Sequence, residues 1–160
     1  MPELPRLLDQ LRRAFDGDAW SGPSLLATLA GLSAAQAAAR PLAHAHSIWE
    51  IALHTATWAG VVQRRLAEGQ PLRVGAAEDW PAPPVPPDEF RWQQTLAALR
   101  AAHERLLATA ATLREADLDR PIGATADQPQ GLGSTAYVSL HGVAQHYLYH
   151  AGQVALLRKE

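Results

Sequence analysis

The sequence predicts an all-α protein, a four-helix bundle with one long crossover connection. Three observations carry that prediction. Alanine and leucine, both strong helix formers, dominate a chain in which isoleucine, phenylalanine and tyrosine are scarce. Apolar residues recur at helical spacing in four long stretches. A proline-dense segment then separates the second stretch from the third. At 160 residues a single domain spanning 1–160 is expected, large enough for one core to bury about two-thirds of the unfolded surface.

Leu4, Leu7, Leu8, Leu11 and Phe15 share one face, so an amphipathic helix opens the chain and breaks at Asp16-Gly17-Asp18. Trp20-Ser21-Gly22-Pro23 starts a second piece carrying Leu25, Leu26 and Leu29. Ser33 and Gln36 have the spacing of a capping box, and Arg40-Pro41 ends the short turn they begin. Ser47 and Glu50 form a second such box, while Gly69 sits where a helix would stop. The helix between them, 48–68, places Ile51, His54, Trp58 and Val61 on one stripe.

Residues 70–87 hold six of the twelve prolines, so no regular helix is expected there and the segment reads as the crossover. It contains Trp80, which could cover a site as a lid. Asp88 caps a third long helix over 89–114 with the seam Trp92, Leu96, Leu99, His103, Leu106, Ala110 and Leu113. Residues 117–133 are turn-rich and polar. The last helix runs over 135–158 with the seam Val143, His146, His150, Gln153 and Leu157, and Arg158 and Lys159 suit the negative end of its dipole.

Composition excludes several functions. The net charge is −2, with no basic run or stripe, so neither nucleic acid nor an anionic membrane surface is an expected partner. With no cysteine there is no disulfide, no thiolate zinc site and no cysteine nucleophile. No apolar run approaches the ~20 residues of a membrane span. The opening MPELPRLLDQLRRAF lacks the apolar core of a signal peptide, so a cytoplasmic location is expected. There is no G-x-S-x-G, no glycine-rich phosphate loop and no dinucleotide fingerprint, and Glu115 and Asp117 read as solvated turn residues.

Chemistry concentrates in the histidines. His146 and His150 are four apart and share one helix face, a spacing that lets two imidazoles converge on one ion. His54 lies on the apolar stripe of another helix. Three core-facing imidazoles need partners, because each unpaired buried nitrogen costs about 1–3 kcal/mol and joint protonation would place like charges in a low dielectric. A shared divalent cation satisfies all three at once; satisfied core histidines without a metal are the alternative. Three neutral histidines with a vacant position match a catalytic rather than a closed structural site. Zinc, nickel, iron, cobalt and manganese all accept imidazole.

His103, on the third seam, could be a fourth ligand, a nearby acid or base, or a packed core residue. Glu50, one turn before His54, could support the site, although capping already explains it. Gln153, one turn after His150, could orient a ligand or bond to backbone. His44 and His46 read as solvated. His141 lies 140° around the helix from His146 and should not join the group, and Tyr147 and Tyr149 point to other faces.

With these residues in view, the chain resembles the DinB/YfiT-like superfamily. The resemblance rests on AWSGPSLLATLAGLSAAQAAARP, HSIWEIALHTATW, EDWPAPP, AAHERLLATAATLREADLDRP and LHGVAQHYLYHAGQVALLRK. The pairing of S-I-W-E-x-x-x-H with a C-terminal H-x-x-x-H-x-G-Q is its most specific part. It implies an antiparallel four-helix bundle with a long crossover, commonly a homodimer, and a metal triad that falls on His54, His146 and His150. It also implies activation of a low-molecular-weight thiol such as bacillithiol or mycothiol, isomerisation of maleylpyruvate, or metal-dependent hydrolysis.

Two functional expectations follow. One is a metal-dependent hydrolase or thiol S-transferase acting on a small molecule. The other is a non-catalytic, metal-binding stress-response bundle that works by dimerising or through a partner. An open coordination position in a pocket would favour the first and a closed, packed one the second.

Overall fold

The computed structural model describes residues 2–123 and 133–159. Among them are seven α-helices and no strands: α1 (Glu3–Phe15), α2 (Leu25–Leu29), α3 (Ala34–Ala38), α4 (Ile48–Glu68), α5 (Ala76–Asp79), α6 (Glu89–Ala110) and α7 (Ala136–Leu157). The all-α expectation is met. The four long helices, α1, α4, α6 and α7, pack in a cycle: α4 against α6 and α7, and α1 against α7 and α6. α4 and α6 make the most extensive pair although the long crossover joins them.

Local chemistry explains where these helices begin. Ser47 accepts from the Glu50 amide and Glu50 accepts from the Ser47 amide, so the expected capping box starts α4, and the same arrangement at Ser33 and Gln36 starts α3. Asp88 and Thr135 cap α6 and α7 through their side-chain oxygens. α1 has no side-chain cap of its own. Its first amides, on Glu3 and Leu4, instead donate to the Glu115 carboxylate at 3.0 Å each, which ties the helix to a turn 111 residues away.

Two boundaries differ from expectation. α6 stops at Ala110 rather than continuing to 114. The Thr112 hydroxyl donates to the Thr109 carbonyl, Arg114 adopts an extended ψ of 159°, and its amide and guanidinium bind Asp117 to begin a one-turn 3-10 helix, Glu115–Asp117. The crossover was expected to hold no helix, yet α5 forms within it. The prolines explain this, because they cluster at 71 and 81–87 and leave 72–80 free to turn. Of the polar 117–133 connection, residues 124–132 lie outside the described residues.

One core runs through the bundle. It takes in Leu7, Leu11 and Phe15 of α1, Leu140, Tyr147 and Val154 of α7, and Trp49, Trp92, Leu99 and Leu106 from the packed pair α4 and α6, with Phe15 against Tyr147. Buried indoles keep their hydrogen bonds: Trp49 donates to the Thr95 hydroxyl at 2.9 Å and Trp92 to the Leu32 carbonyl at 2.8 Å. At the ends of the crossover, Gly69 closes α4 in the left-handed region with φ of 63°. Gly123, also left-handed, lies against Pro71 so closely that a Cβ would come within 2.9 Å of the ring. The start of the crossover is thereby held against the chain leaving α6. No helix is long and apolar enough to cross a membrane among the described residues.

Candidate metal centre

The core stripe of α7 is Leu140, Val143, Ala144, Tyr147, Ala151 and Val154. His146 and His150 sit along one side of that stripe and face α4. There they meet His54, which α4 turns inward between the buried Ile51 and the half-buried Trp58. The three Nε2 atoms converge: His54 to His146 at 2.9 Å, and His146 to His150 at 2.9 Å. All three ligand atoms lie within 4.8 Å of one another. His54 and His150 are buried and His146 is half-buried.

The outer edges of two rings are fixed. His54 Nδ1 lies 2.7 Å from the Asp79 carbonyl oxygen and 3.2 Å from its carboxylate. A carbonyl only accepts, so Nδ1 carries the hydrogen and Nε2 of His54 carries a lone pair. His150 Nδ1 lies 2.6 Å from Gln153 Oε1, which places its lone pair on Nε2 in the same way. Both lone pairs point at Nε2 of His146, which can donate one hydrogen at most. A cation among the three resolves that conflict. The three ligand atoms are near enough to one another to be shared by a single ion.

Protonation does not compete for the nitrogens of His146 and His150 at neutral pH. Burial, and then the neighbouring His150 and His54, push His146 down to about 3. Burial pushes His150 down to about 4, against the opposing hydrogen bond from Gln153. Both rings are therefore neutral and ready to donate their lone pairs. The donor set is all nitrogen, with no carboxylate or thiolate in the group.

The crossover covers one side of the centre. Trp80 stacks on His54 with ring centroids 3.9 Å apart and an angle of 8°, and His46 stacks on the other face of Trp80 at 3.5 Å and 4°. His46 is exposed, as expected, but it also packs one ring face on the indole and lies 3.7 Å from Glu50. Asp79 also accepts from the Trp58 indole at 2.6 Å, so one residue of α5 ties together two of α4. Sequence reading missed Asp79, because it contacts the site mainly through its backbone carbonyl, and a non-periodic crossover has no register to read. The stretch Asp79-Trp80 directly before the proline run was the available signal.

Glu50 caps α4 and pairs with Arg40, and its carboxylate lies under the stacked His46. Its pKa is lowered: burial opposes this, but the Ser47 hydrogen bonds and Arg40 outweigh it. Gln153 orients His150 rather than bonding to backbone. His103 packs elsewhere: it stacks on Phe15 at 3.8 Å, and its Nδ1 is 3.4 Å from the Tyr147 hydroxyl. Its Nε2 is buried with no partner among the described residues, and burial pushes its pKa down to about 4. His141 pairs edge-on with Tyr137, away from the three.

Two clefts open beside the centre. One, of about 500 Å³, has His54 and His146 on its floor and Trp58, Val62, Arg65, Ser139 and Gly142 among its walls. The other, of about 420 Å³, is bounded by Trp80, His150, Gln153, His46 and Tyr149. Both are of small-molecule size.

The family model described as the DinB superfamily matches residues 18–154 of this chain. No curated protein and no solved structure matches it. The matched span contains α2 to α6 and all but the last turn of α7, and so all three histidines and Asp79.

Proposed function

The chain belongs to the DinB superfamily, and from that membership and the converging imidazoles we propose a metal-dependent enzyme whose His54, His146 and His150 hold one divalent ion beside a small-molecule cleft. The meeting of three Nε2 atoms, with two rings fixed from behind, is the observation that carries the reading. Zinc or nickel is the favoured occupant, and iron, cobalt and manganese suit the same donors. Once bound, such an ion would lower the pKa of a water or thiol toward neutrality.

The chain's own residues define the rest of the mechanism. Asp79 and Gln153 hold His54 and His150 in the tautomer that offers Nε2, a support that typically contributes 10–100-fold in metal affinity. Trp80 shields the face of His54 from water. The two clefts admit a small electrophile on one side and a low-molecular-weight thiol or water on the other. Hydrolysis and thiol S-transfer are both served by this layout. A cytoplasmic homodimer is the proposed working form. His103 remains outside this reading.

The test is a turnover screen of tag-free, metal-loaded protein against small electrophiles, with water alone and with bacillithiol-type thiols. Metal-dependent turnover that is lost in His150→Ala is expected. Stoichiometric metal without turnover in either arm would instead support the non-catalytic metal-binding bundle.

A further inference from the structure

The larger cleft is lined by one guanidinium, that of Arg65, and one carboxylate, that of Asp79, which is already engaged by the Trp58 indole and lies beside His54. Arg65, on the last turns of α4, is half-buried in its wall. Its guanidinium lies 5.5 Å above the Trp58 ring, and its Nε donates to the Leu72 carbonyl at 3.0 Å, with Nη2 turned to the same oxygen. These contacts fix the plane of the group but leave Nη1 and the second Nη2 hydrogen free of them. Among the described residues no carboxylate forms an ion pair with Arg65, whereas Arg13, Arg40, Arg64 and Arg114 each have one. Burial alone accounts for its lowered pKa, as expected of a partly desolvated cation without a counter-charge.

The rest of the cleft suits a compact organic molecule. Val62 and Val143 are apolar wall, and the Ser139 hydroxyl is a polar point, paired with Ser134 at 3.0 Å. Gly142, one turn before His146, leaves open space where a side chain would project. A planar, rigidly held guanidinium with free donors matches a carboxylate in a two-point hydrogen bond. A phosphate ester carries more charge than one cation offsets. Because Arg65 follows Trp58 and His54 along α4, an acid held at Arg65 would lie along the wall with its other end toward the histidines.

We infer that Arg65 anchors the carboxylate of the substrate, so that the substrate class is a small organic acid whose reacting end lies at the three-histidine centre. This rests on the metal-enzyme reading for the reacting end, but the anchor itself can be tested separately. The probes are 3-methylbutanoate, its neutral amide, and isobutyl phosphate, titrated into metal-loaded and metal-stripped protein. Binding is followed at the Ser139 backbone amide by nuclear magnetic resonance, with metal content measured on each sample.

Wild-type protein should bind the carboxylate saturably and at least about tenfold more tightly than the amide or the phosphate, a margin of about 1.4 kcal/mol. Arg65→Met should lose at least that factor while retaining its metal. Arg65→Gln, which keeps a polar, helix-compatible side chain but no charge, should do the same and decides the matter if Arg65→Met does not fold. Equal binding of carboxylate and amide, tighter binding of the phosphate, or undiminished carboxylate binding in the variants would overturn the anchor. Arg65-dependent binding in a wild-type protein that takes up no metal would sink the metal reading and leave the anchor standing. Stoichiometric metal with carboxylate binding indifferent to Arg65 would do the reverse.

Discussion

Two buried histidine sites flank the same stretch of α7, one through His146 and His150 and the other through Tyr147, against which His103 of α6 packs, and they differ in kind. At His54, His146 and His150 three rings turn their Nε2 atoms toward one point, and acceptors hold two of the rings from behind. At His103 a single ring is stacked on Phe15 beside Tyr147, with one weak hydrogen bond and one buried nitrogen left over. Burial lowers the pKa at both places, to about 3 and 4 for His146 and His150 and to about 4 for His103. Low basicity therefore does not mark a metal site. Convergence of lone pairs does, together with groups that choose the tautomer.

The largest effect that could break this contrast is on metal affinity. His150→Ala removes a donor and is expected to weaken metal binding by more than about 100-fold, the upper end of what loss of a supporting group alone costs. Metal titration monitored by calorimetry checks this, and circular dichroism should show the helices retained. His103→Ala should leave metal affinity unchanged while lowering stability by about 2–4 kcal/mol through the cavity it creates, measured by urea unfolding. Metal loss in His103→Ala would erase the distinction.

Acid should act on both sites in the metal-free protein. A histidine with a lowered folded-state pKa favours the neutral form, so the unfolded chain takes up protons first as pH falls. Stability from this source is complete above about 6.5, the unfolded value, and is lost as pH falls toward 4 and 3. Each group contributes a slope of at most about 1.4 kcal/mol per pH unit. Urea midpoints between pH 7 and 4 should fall steeply, and less steeply in His103→Phe. An unchanged slope in that variant would show that His103 is not held neutral.

A smaller effect sharpens the role of the crossover. Asp79→Asn keeps the backbone carbonyl that faces His54 and removes the carboxylate charge beside Nδ1. A loss of about tenfold in metal affinity is expected, with the helical content unchanged. Wild-type affinity in this variant would mean that the carbonyl alone positions the ring.

Legibility from sequence followed periodicity. The three histidines could be read because each sits on a regular helix, where spacing sets direction, and the capping boxes at Ser33 and Ser47 formed as their spacing implied. Gln153 was visible for the same reason, although whether it met a ring or a carbonyl depended on packing. The early end of α6 was not visible, because it depends on Thr112 and the Arg114–Asp117 contacts prevailing over a seam that still looks helical through Leu113. Trp80 could be expected as a cover, but its grouping with Asp79 and His46 around His54 could not be read. They come from irregular segments whose paths are set by tertiary contacts, and the stacked arrangement of His46, Trp80 and His54 has no counterpart in spacing.

The account stands on three imidazoles sharing one ion. X-ray absorption on tag-free, metal-loaded protein measures that directly, because imidazole rings give a characteristic outer-shell signal. The prediction is a first shell of nitrogen and oxygen at about 2.0–2.1 Å with three imidazoles per metal, falling to two in His54→Gln. One imidazole or none in the wild type, or a spectrum unchanged by that substitution, would contradict it.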